Sequence, residues 1–200
     1  MSIQELVKIR YSEDLVESKD IEELDLNEIG FLPFLQPSDK EYMEKFKGIS
    51  SLCLSKIGLS SLENLPKLDS VYILNLNKNK LKDGLKIIVR NMPYIEELEL
   101  EYNCFEDIKE FEVLRELPNL TSITLEGNPI ISFSNYRDEL FRFIPQLKLI
   151  DNYDKDENNY LEDLIEREGD KESMNENMEN LEDEIYDEDL SVEITCKESA

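Results

Sequence analysis

Carboxylates are the side chains of this sequence whose number and spacing could do chemistry. The chain of 200 residues carries 47 Asp and Glu against 22 Lys and Arg, a formal charge of −25, and it contains no histidine. Without imidazole there is no His-dependent nucleophile, acid–base pair or metal site. The sequence also lacks the G-x-G-x-x-G and Walker patterns that cradle phosphates. These residues predict no enzymatic activity and no cofactor, and they predict a surface that attracts basic partners.

Two groups of residues are candidates for contact with such a partner. The first alternates with leucines and comprises Glu22, Glu23, Asp25, Glu96, Glu97, Glu99, Glu101 and Tyr102. The second lies in the last quarter of the chain and comprises Asp183, Glu184, Tyr186, Asp187, Glu188 and Asp189. Side chains alternate between the two faces of a strand, so the acids of the first group share one open face beside buried leucines. That face is either a docking surface for a basic partner or a solvated face that keeps the protein soluble.

The same composition argues against other partner classes. Proteins bind phosphate backbones and anionic membranes through stripes of basic residues, and we do not expect such stripes on a chain this acidic. The segment Asp154-x-Asp156-x-Asn158 matches the first three ligand positions of a calcium loop, yet Asn159 and Ile165 occupy the positions that need Gly and a bidentate Glu. We therefore predict no direct nucleic-acid binding, no membrane and no metal.

A repeat of the form L-x-x-L-x-L-x-x-N-x-L positions the first group of acids. Its five copies begin at Ile21, Ile49, Val71, Ile95 and Leu120. Their spacing lies within the leucine-rich-repeat range of about 20–29 residues. The pattern predicts an α/β fold, a right-handed leucine-rich-repeat solenoid with a parallel concave sheet and a helical or 3₁₀ convex side. Its phase places Leu98 and Leu100 in the core and leaves Glu97 and Glu99 exposed.

An open stack of repeats needs a cap at each end. Ile3, Leu6 and Val7 predict a capping helix before the first repeat, and residues 135–144 predict another after the fifth. A final short strand follows at Leu149. We place the repeat domain with its caps at residues 1–153 and an acidic, mostly disordered tail at residues 154–200, because residues 151–200 hold 20 acids against 4 bases.

Four stretches carry a more specific resemblance. They are Asp20 to Leu26 (DIEELDL), Leu62 to Leu68 (LENLPKL), Leu74 to Gly84 (LNLNKNKLKDG) and Asn135 to Asp156 (NYRDELFRFIPQLKLIDNYDKD). With the acidic tail, they make the chain resemble the acidic leucine-rich nuclear phosphoprotein family. The resemblance implies a non-enzymatic binder of histones and of phosphatase catalytic subunits that moves between nucleus and cytoplasm.

Together these observations predict a monomeric, acidic protein-binding module. Its first function is that of a histone chaperone or chromatin regulator, which masks the positive charge of a basic protein with tail and concave acids. Two alternatives stay open: an inhibitor of a protein phosphatase, and an assembly adaptor of a ribonucleoprotein, similar to the leucine-rich-repeat protein of the spliceosome. Both alternatives depend on the concave face more than on the tail.

Overall fold

The computed structural model of this protein describes residues 2–18, 20–28 and 30–160. Within them, six short strands form one parallel sheet in chain order. The strands are β1 (Glu23–Asp25), β2 (Ser51–Cys53), β3 (Ile73–Asn75), β4 (Glu97–Glu99), β5 (Ser122–Thr124) and β6 (Leu149–Ile150). The α-helices are α1 (Ile3–Arg10), α2 (Glu13–Ser18), α3 (Pro37–Met43), α4 (Leu85–Asn91) and α5 (Tyr136–Phe143), and 3₁₀ helices cover Ile108–Glu116 and Pro129–Ser132. This arrangement confirms the predicted leucine-rich-repeat solenoid.

The strands pair in the register that the repeat predicts. The central residues of neighbouring strands lie opposite one another and are buried: Leu24, Leu52, Leu74, Leu98, Ile123 and Ile150. The second leucine of each copy is buried too, Leu100 among them. One continuous apolar core therefore runs behind the sheet from the first repeat to the last.

Buried asparagines join the last three copies of the repeat. Asn79, Asn103 and Asn128 are almost fully buried, and each accepts a backbone N–H bond from the preceding repeat through Oδ1. Their amide nitrogens donate to backbone carbonyls of their own and the preceding repeat. An asparagine suits this position because one side chain provides both an acceptor and two donors.

The sequence predicts a helical or 3₁₀ convex side, and this side is α-helical in the third repeat and 3₁₀ in the fourth. Leu85 and Ile88 of α4 are buried, and the 3₁₀ helix Ile108–Glu116 buries Phe111 and Leu114. The ring of Phe111 meets that of Phe105 edge to face, with centroids 5.4 Å apart. These elements pack behind the sheet and hold its open face in place.

Both ends of the stack are capped. At the first, α1 buries Ile3, Leu6 and Val7, and Ser2 with Glu5 forms a capping box. At the second, α5 packs on the 3₁₀ helix Ile108–Glu116 and buries Leu140. The described chain continues to Tyr160, and Tyr153 bridges both Ile150 and Asn159. The domain boundary after residue 153 stays a prediction. No helix among the described residues is long and apolar enough to cross a membrane.

Candidate protein-binding surface

The open face of the sheet carries the first group of predicted acids. It is the concave side of the solenoid, the usual binding surface of such proteins. Two columns of side chains flank the buried central residues. The first column is Glu23, Ser51, Ile73, Glu97 and Ser122, and the second is Asp25, Cys53, Asn75, Glu99 and Thr124. Neighbouring strands of a sheet lie about 4.8 Å apart, so acids of one repeat sit close to the side chains of the next.

Glu99 forms the centre of an acidic cluster on the fourth repeat. Its Oε2 accepts hydrogen bonds from Nδ2 of Asn75 at 2.5 Å and from Nδ2 of Asn77 at 3.0 Å. Burial raises the pKa of the Glu99 carboxyl, and the charges of Glu101 and Glu97 raise it further. Glu97 is exposed as predicted, whereas Glu99 is half-buried. The expectation that Glu99 is exposed is therefore wrong, because the neighbouring asparagine side chains cover part of it.

The acidic cluster extends along the ends of the next strands. Burial raises the pKa of Glu101, with further contributions from the charges of Glu126 and Asp151, while Lys78 acts in the opposite direction. The Glu101 backbone N–H donates to Oδ1 of Asn77 at 2.7 Å. Carboxyl groups with perturbed pKa values cluster at functional sites, which makes Glu99 and Glu101 candidates for one.

Tyr102 adds an aromatic ring at the border of this cluster. The residue has a positive φ of 50°, and its ring lies against Gly127, where an added Cβ would sit 2.4 Å from Cδ1. The charge of Glu126 raises the pKa of the Tyr102 hydroxyl, and burial and Glu101 add to the effect. Glu96, which directly precedes β4, is exposed. The structure thus brings the predicted residues of the fourth repeat together.

The acids of the first repeat differ from those of the fourth in their partners and exposure. Oδ2 of Asp25 lies 2.6 Å from the Arg10 guanidinium, and its Oδ1 accepts the backbone N–H of Asn27. The hydroxyl of Tyr11 accepts the backbone N–H of Asp25 at 2.7 Å. Glu22 and Glu23 are exposed. The charge of Asp25 is therefore balanced within the fold, a role for Arg10 and Tyr11 that the sequence reasoning missed.

The remaining candidates add no chemistry to the face. Cys53 is half-buried, and burial raises the pKa of its thiol to about 11, so it stays protonated at neutral pH. No group of three or more metal-binding side chains occurs in the described part of the chain. The second group of predicted residues lies outside the described residues: Asp183, Glu184, Tyr186, Asp187, Glu188 and Asp189.

Comparison with known proteins places the fold in a family. The family profile described as "Leucine-rich repeat" matches residues 43–181. An acidic leucine-rich nuclear phosphoprotein 32-related protein of Plasmodium falciparum (isolate 3D7) is 40% identical over 127 residues, which cover 62% of this chain and 45% of that protein. The chain thus matches less than half the length of this curated relative.

The chain is also similar to solved structures. An internalin C2 of Listeria monocytogenes matches 71% of this chain and 56% of its own, with a TM-score of 0.50 and 18% identity. A chain of the Drosophila melanogaster SNF/U2A′ complex matches 70% of this chain and 77% of its own, with a TM-score of 0.49 and 22% identity. The chain belongs to the leucine-rich repeat family, as a protein-interaction module related to the acidic leucine-rich nuclear phosphoproteins that its sequence resembles.

Proposed function

We propose that this protein binds basic proteins, histones in particular, and masks their positive charge with its own carboxylates. The observation that carries the proposal is the half-buried acidic cluster around Glu99 on the fourth repeat. Its pKa shifts mean that ionised carboxylates are costly there without a positive partner. A lysine or arginine of a bound protein would lower that cost, which makes the cluster a favourable place for a basic side chain.

The partners of Glu99 within the fold support this assignment. Asn75 and Asn77 donate neutral hydrogen bonds that fix the carboxylate without cancelling its charge. Asp25 provides the contrast, because Arg10 already balances it. We therefore assign the main concave contact to the fourth repeat, and a smaller one to the exposed Glu22 and Glu23 of the first.

The acidic tail provides the second set of contacts in this proposal. Residues 181–190, with the sequence LEDEIYDEDL, interleave acids with Ile185, Tyr186 and Leu190. Such a segment can wrap an irregular basic surface, with its apolar residues as anchors. Two sites on one chain raise the overall affinity, because the second contact forms at a high effective concentration.

The relative from Plasmodium falciparum is a protein related to an acidic leucine-rich nuclear phosphoprotein. On that basis we propose a nuclear location, with movement to the cytoplasm, for the present chain. A monomer suffices for the mechanism, since tail and concave face belong to the same molecule. Neither nucleic acid nor a cofactor takes part in it.

Titration with histone dimers across a salt series tests the proposal. Two variants of the full chain are compared: one neutralises Asp183, Glu184, Asp187, Glu188 and Asp189, and the other neutralises Glu96, Glu97, Glu99 and Glu101. We expect steep weakening of binding with salt, because exposed charges are screened over about 10 Å at 0.1 M. The tail variant should lose more affinity than the concave variant, since a tail can follow an irregular surface while the sheet is fixed in shape.

Other outcomes point to other functions. Undiminished histone binding by the tail variant would contradict charge masking by the tail. If the partner is instead a phosphatase catalytic subunit or a ribonucleoprotein subunit, binding of that partner should weaken more in the concave variant than in the tail variant, because both alternatives rely on the shaped face.

A further inference from the structure

The side of the sheet where the strands end carries a row of lysines between aromatic rings. We call the residues that follow the strands the loop edge: Glu28, Lys56, Lys78, Tyr102 and Gly127, all with positive φ. Backbone bonds link these neighbours, from Glu28 N to Ser55 O, from Lys56 N to Asn77 O and from Lys78 N to Glu101 O. The second and third repeats are therefore basic along an edge where the flanking repeats carry Glu28, Glu101 and Glu126.

Lys80 and Lys82 extend the positive charge along the third repeat. Lys78, Lys80 and Lys82 are all exposed, and Asp83 is the acid that follows them directly in the chain. Lys56 lies 2.9 Å from Glu28, so its charge is largely balanced. By sequence the third repeat, residues 71–94, is basic in a chain whose formal charge is −25: it holds Lys78, Lys80, Lys82, Lys86 and Arg90 against Asp83.

Two exposed phenylalanines border these lysines. Phe31 is 68% exposed and Phe34 is 56% exposed. The Phe31 ring lies on Gly58, where an added Cβ would sit 2.4 Å from Cε2. Ser60 N donates to Pro33 O, in the loop that carries both phenylalanines, and Lys80 N donates to Leu59 O. The Leu59–Ser60 segment therefore lies between that loop and Lys80. Exposed lysines and rings thus lie on neighbouring segments of the first three repeats, and we call them the lysine–aromatic patch: Phe31, Phe34, Lys56, Lys78, Lys80 and Lys82.

The described chain ends at this same edge. Tyr160 N donates to the carbonyl of Asn152, which follows β6 at the loop edge. Three strand spacings separate β6 from β3, which amounts to about 14 Å. The 20 residues between Tyr160 and Leu181 span up to about 70 Å when extended. Residues 181–190 can thus reach the patch easily.

We propose that the acidic segment 181–190 docks in cis on the lysine–aromatic patch. Its six acids oppose the lysines, and Ile185, Tyr186 and Leu190 match the exposed rings. Charge complementarity favours docking of this segment on the patch. The repeats nearer to Tyr160 are acidic, and their Glu101 and Glu126 repel the segment. Attachment to the same chain gives the segment a high effective concentration at the patch, which an external acidic peptide does not have.

Carbodiimide crosslinking of the full chain tests the contact, since this reagent joins a carboxylate to an amine that touches it. We expect crosslinks from the acids of residues 181–190 to concentrate on Lys78, Lys80 and Lys82 at low salt. They should fall at about 0.5 M salt to the level of Lys47, Lys67 and Lys109, which are exposed away from the patch. Equal yields on both sets of lysines at low salt would overturn the proposal.

Two further experiments test whether the aromatic rings take part and whether the contact forms within one chain. The double variant Phe31→Ser, Phe34→Ser leaves every lysine and carboxylate in place. Loss of the crosslinks in this variant would show that the two rings take part in docking. The control variant Phe133→Ser, at another exposed phenylalanine, should retain the crosslinks. Unchanged yields in the double variant would overturn the docking site. Mixed isotope-labelled and unlabelled chains should give crosslinks within one chain, and crosslinks between chains would overturn docking in cis.

A consequence for histone binding follows, and it rests on the proposed function. If patch and histone compete for the same tail acids, changing Lys80 and Lys82 to Gln should tighten histone binding; Lys78 is kept, because its charge acts on Glu101 of the acidic cluster. The matched variant with Lys47 and Lys109 changed to Gln alters the net charge equally and should tighten it less. Equal gains in the two variants would overturn the competition. Crosslinking to the patch without any histone binding would leave docking intact and refute the proposed function instead.

Discussion

Replacement of Asn103 by alanine tests how the repeats hold one another. Oδ1 of Asn103 accepts the backbone N–H of Leu81 at 3.0 Å, and its Nδ2 donates to the carbonyls of Leu76 and Leu100. Those two carbonyls keep other donors, because Asn79 also donates to Leu76 and Asn128 also donates to Leu100. The substitution therefore leaves one buried group unsatisfied, the N–H of Leu81.

The expected cost follows from that count. An orphaned buried donor costs about 1–3 kcal/mol. The lost amide also leaves a small void at a site that is 1% exposed, which adds on the order of 1 kcal/mol. We expect Asn103→Ala to lower the free energy of unfolding by about 2–4 kcal/mol, measured by urea denaturation with an unchanged slope.

Asn103→Asp separates this reasoning from a general packing effect. The carboxylate still accepts the Leu81 N–H, but at neutral pH its second oxygen faces the two carbonyls that received Nδ2. Its charge is buried there, so its pKa in the folded state should be raised above the unfolded value. The aspartate variant should be the less stable of the two at pH 7 and should regain stability as pH falls through that raised pKa. A cost below about 0.5 kcal/mol for the alanine variant, or a pH-independent aspartate variant, would refute the shared-bond account.

Three further expectations address the core, the acidic cluster and the cap. Leu98→Ala should cost about 2–5 kcal/mol in urea denaturation, whereas Glu97→Ala at the neighbouring exposed position should cost little; similar costs would contradict the register. Glu99→Gln should raise stability at pH 7: the folded pKa of Glu99 is raised, so its penalty is absent below the unfolded pKa and grows as pH rises through the folded one. A gain that persists at pH 3 would contradict this sign. Truncation before Asn135 should expose the core and cause aggregation, while truncation after Asp156 should leave folding intact; equal melting temperatures would contradict the role of the cap.

The repeat is the part of the fold that the sequence predicts best. Leucines at fixed spacing determine which side of each strand is buried, and Asn79, Asn103 and Asn128 mark the turns, so register and core follow without knowledge of the rest. The caps follow for the same reason, since Ile3, Leu6 and Val7 show helical spacing before the first strand. Periodic patterns are informative because each copy reports the same packing contact again.

Contacts between elements without a shared period are the part that the sequence does not predict. Asp25 meets Arg10 because α1 ends beside β1, and no spacing in the chain encodes that approach. Asp39 is 2% exposed and accepts the backbone N–H groups of Ile3 and Gln36, yet it lies in α3, between the first two copies of the repeat and outside its pattern. Phe31 rests on Gly58 for a similar reason. These segments lie outside the repeat pattern, and their geometry depends on what they pack against.

The burial of Glu99 shows what the repeat pattern does not predict about the site. Alternation places this residue on the open face, but it says nothing of the neighbours in the adjoining strand. Asn75 lies directly opposite in the register, and Asn77 follows two residues later, so two amides close over one carboxylate. The cluster arises from the third and fourth repeats together and is visible only once their register is known.

The position of these acids distinguishes the two interpretations of the concave face. A face that served solubility alone would hold its carboxylates in water, where ionisation costs nothing. Glu99 and Glu101 instead carry raised pKa values through burial and like charges, while Asp25 has its own arginine. The fold thus keeps negative charge at one place on the sheet that Lys78 offsets only in part, at a cost in stability. A basic side chain from outside would recover that free energy on binding, which is why the fourth repeat supports a docking surface better than a solvated one.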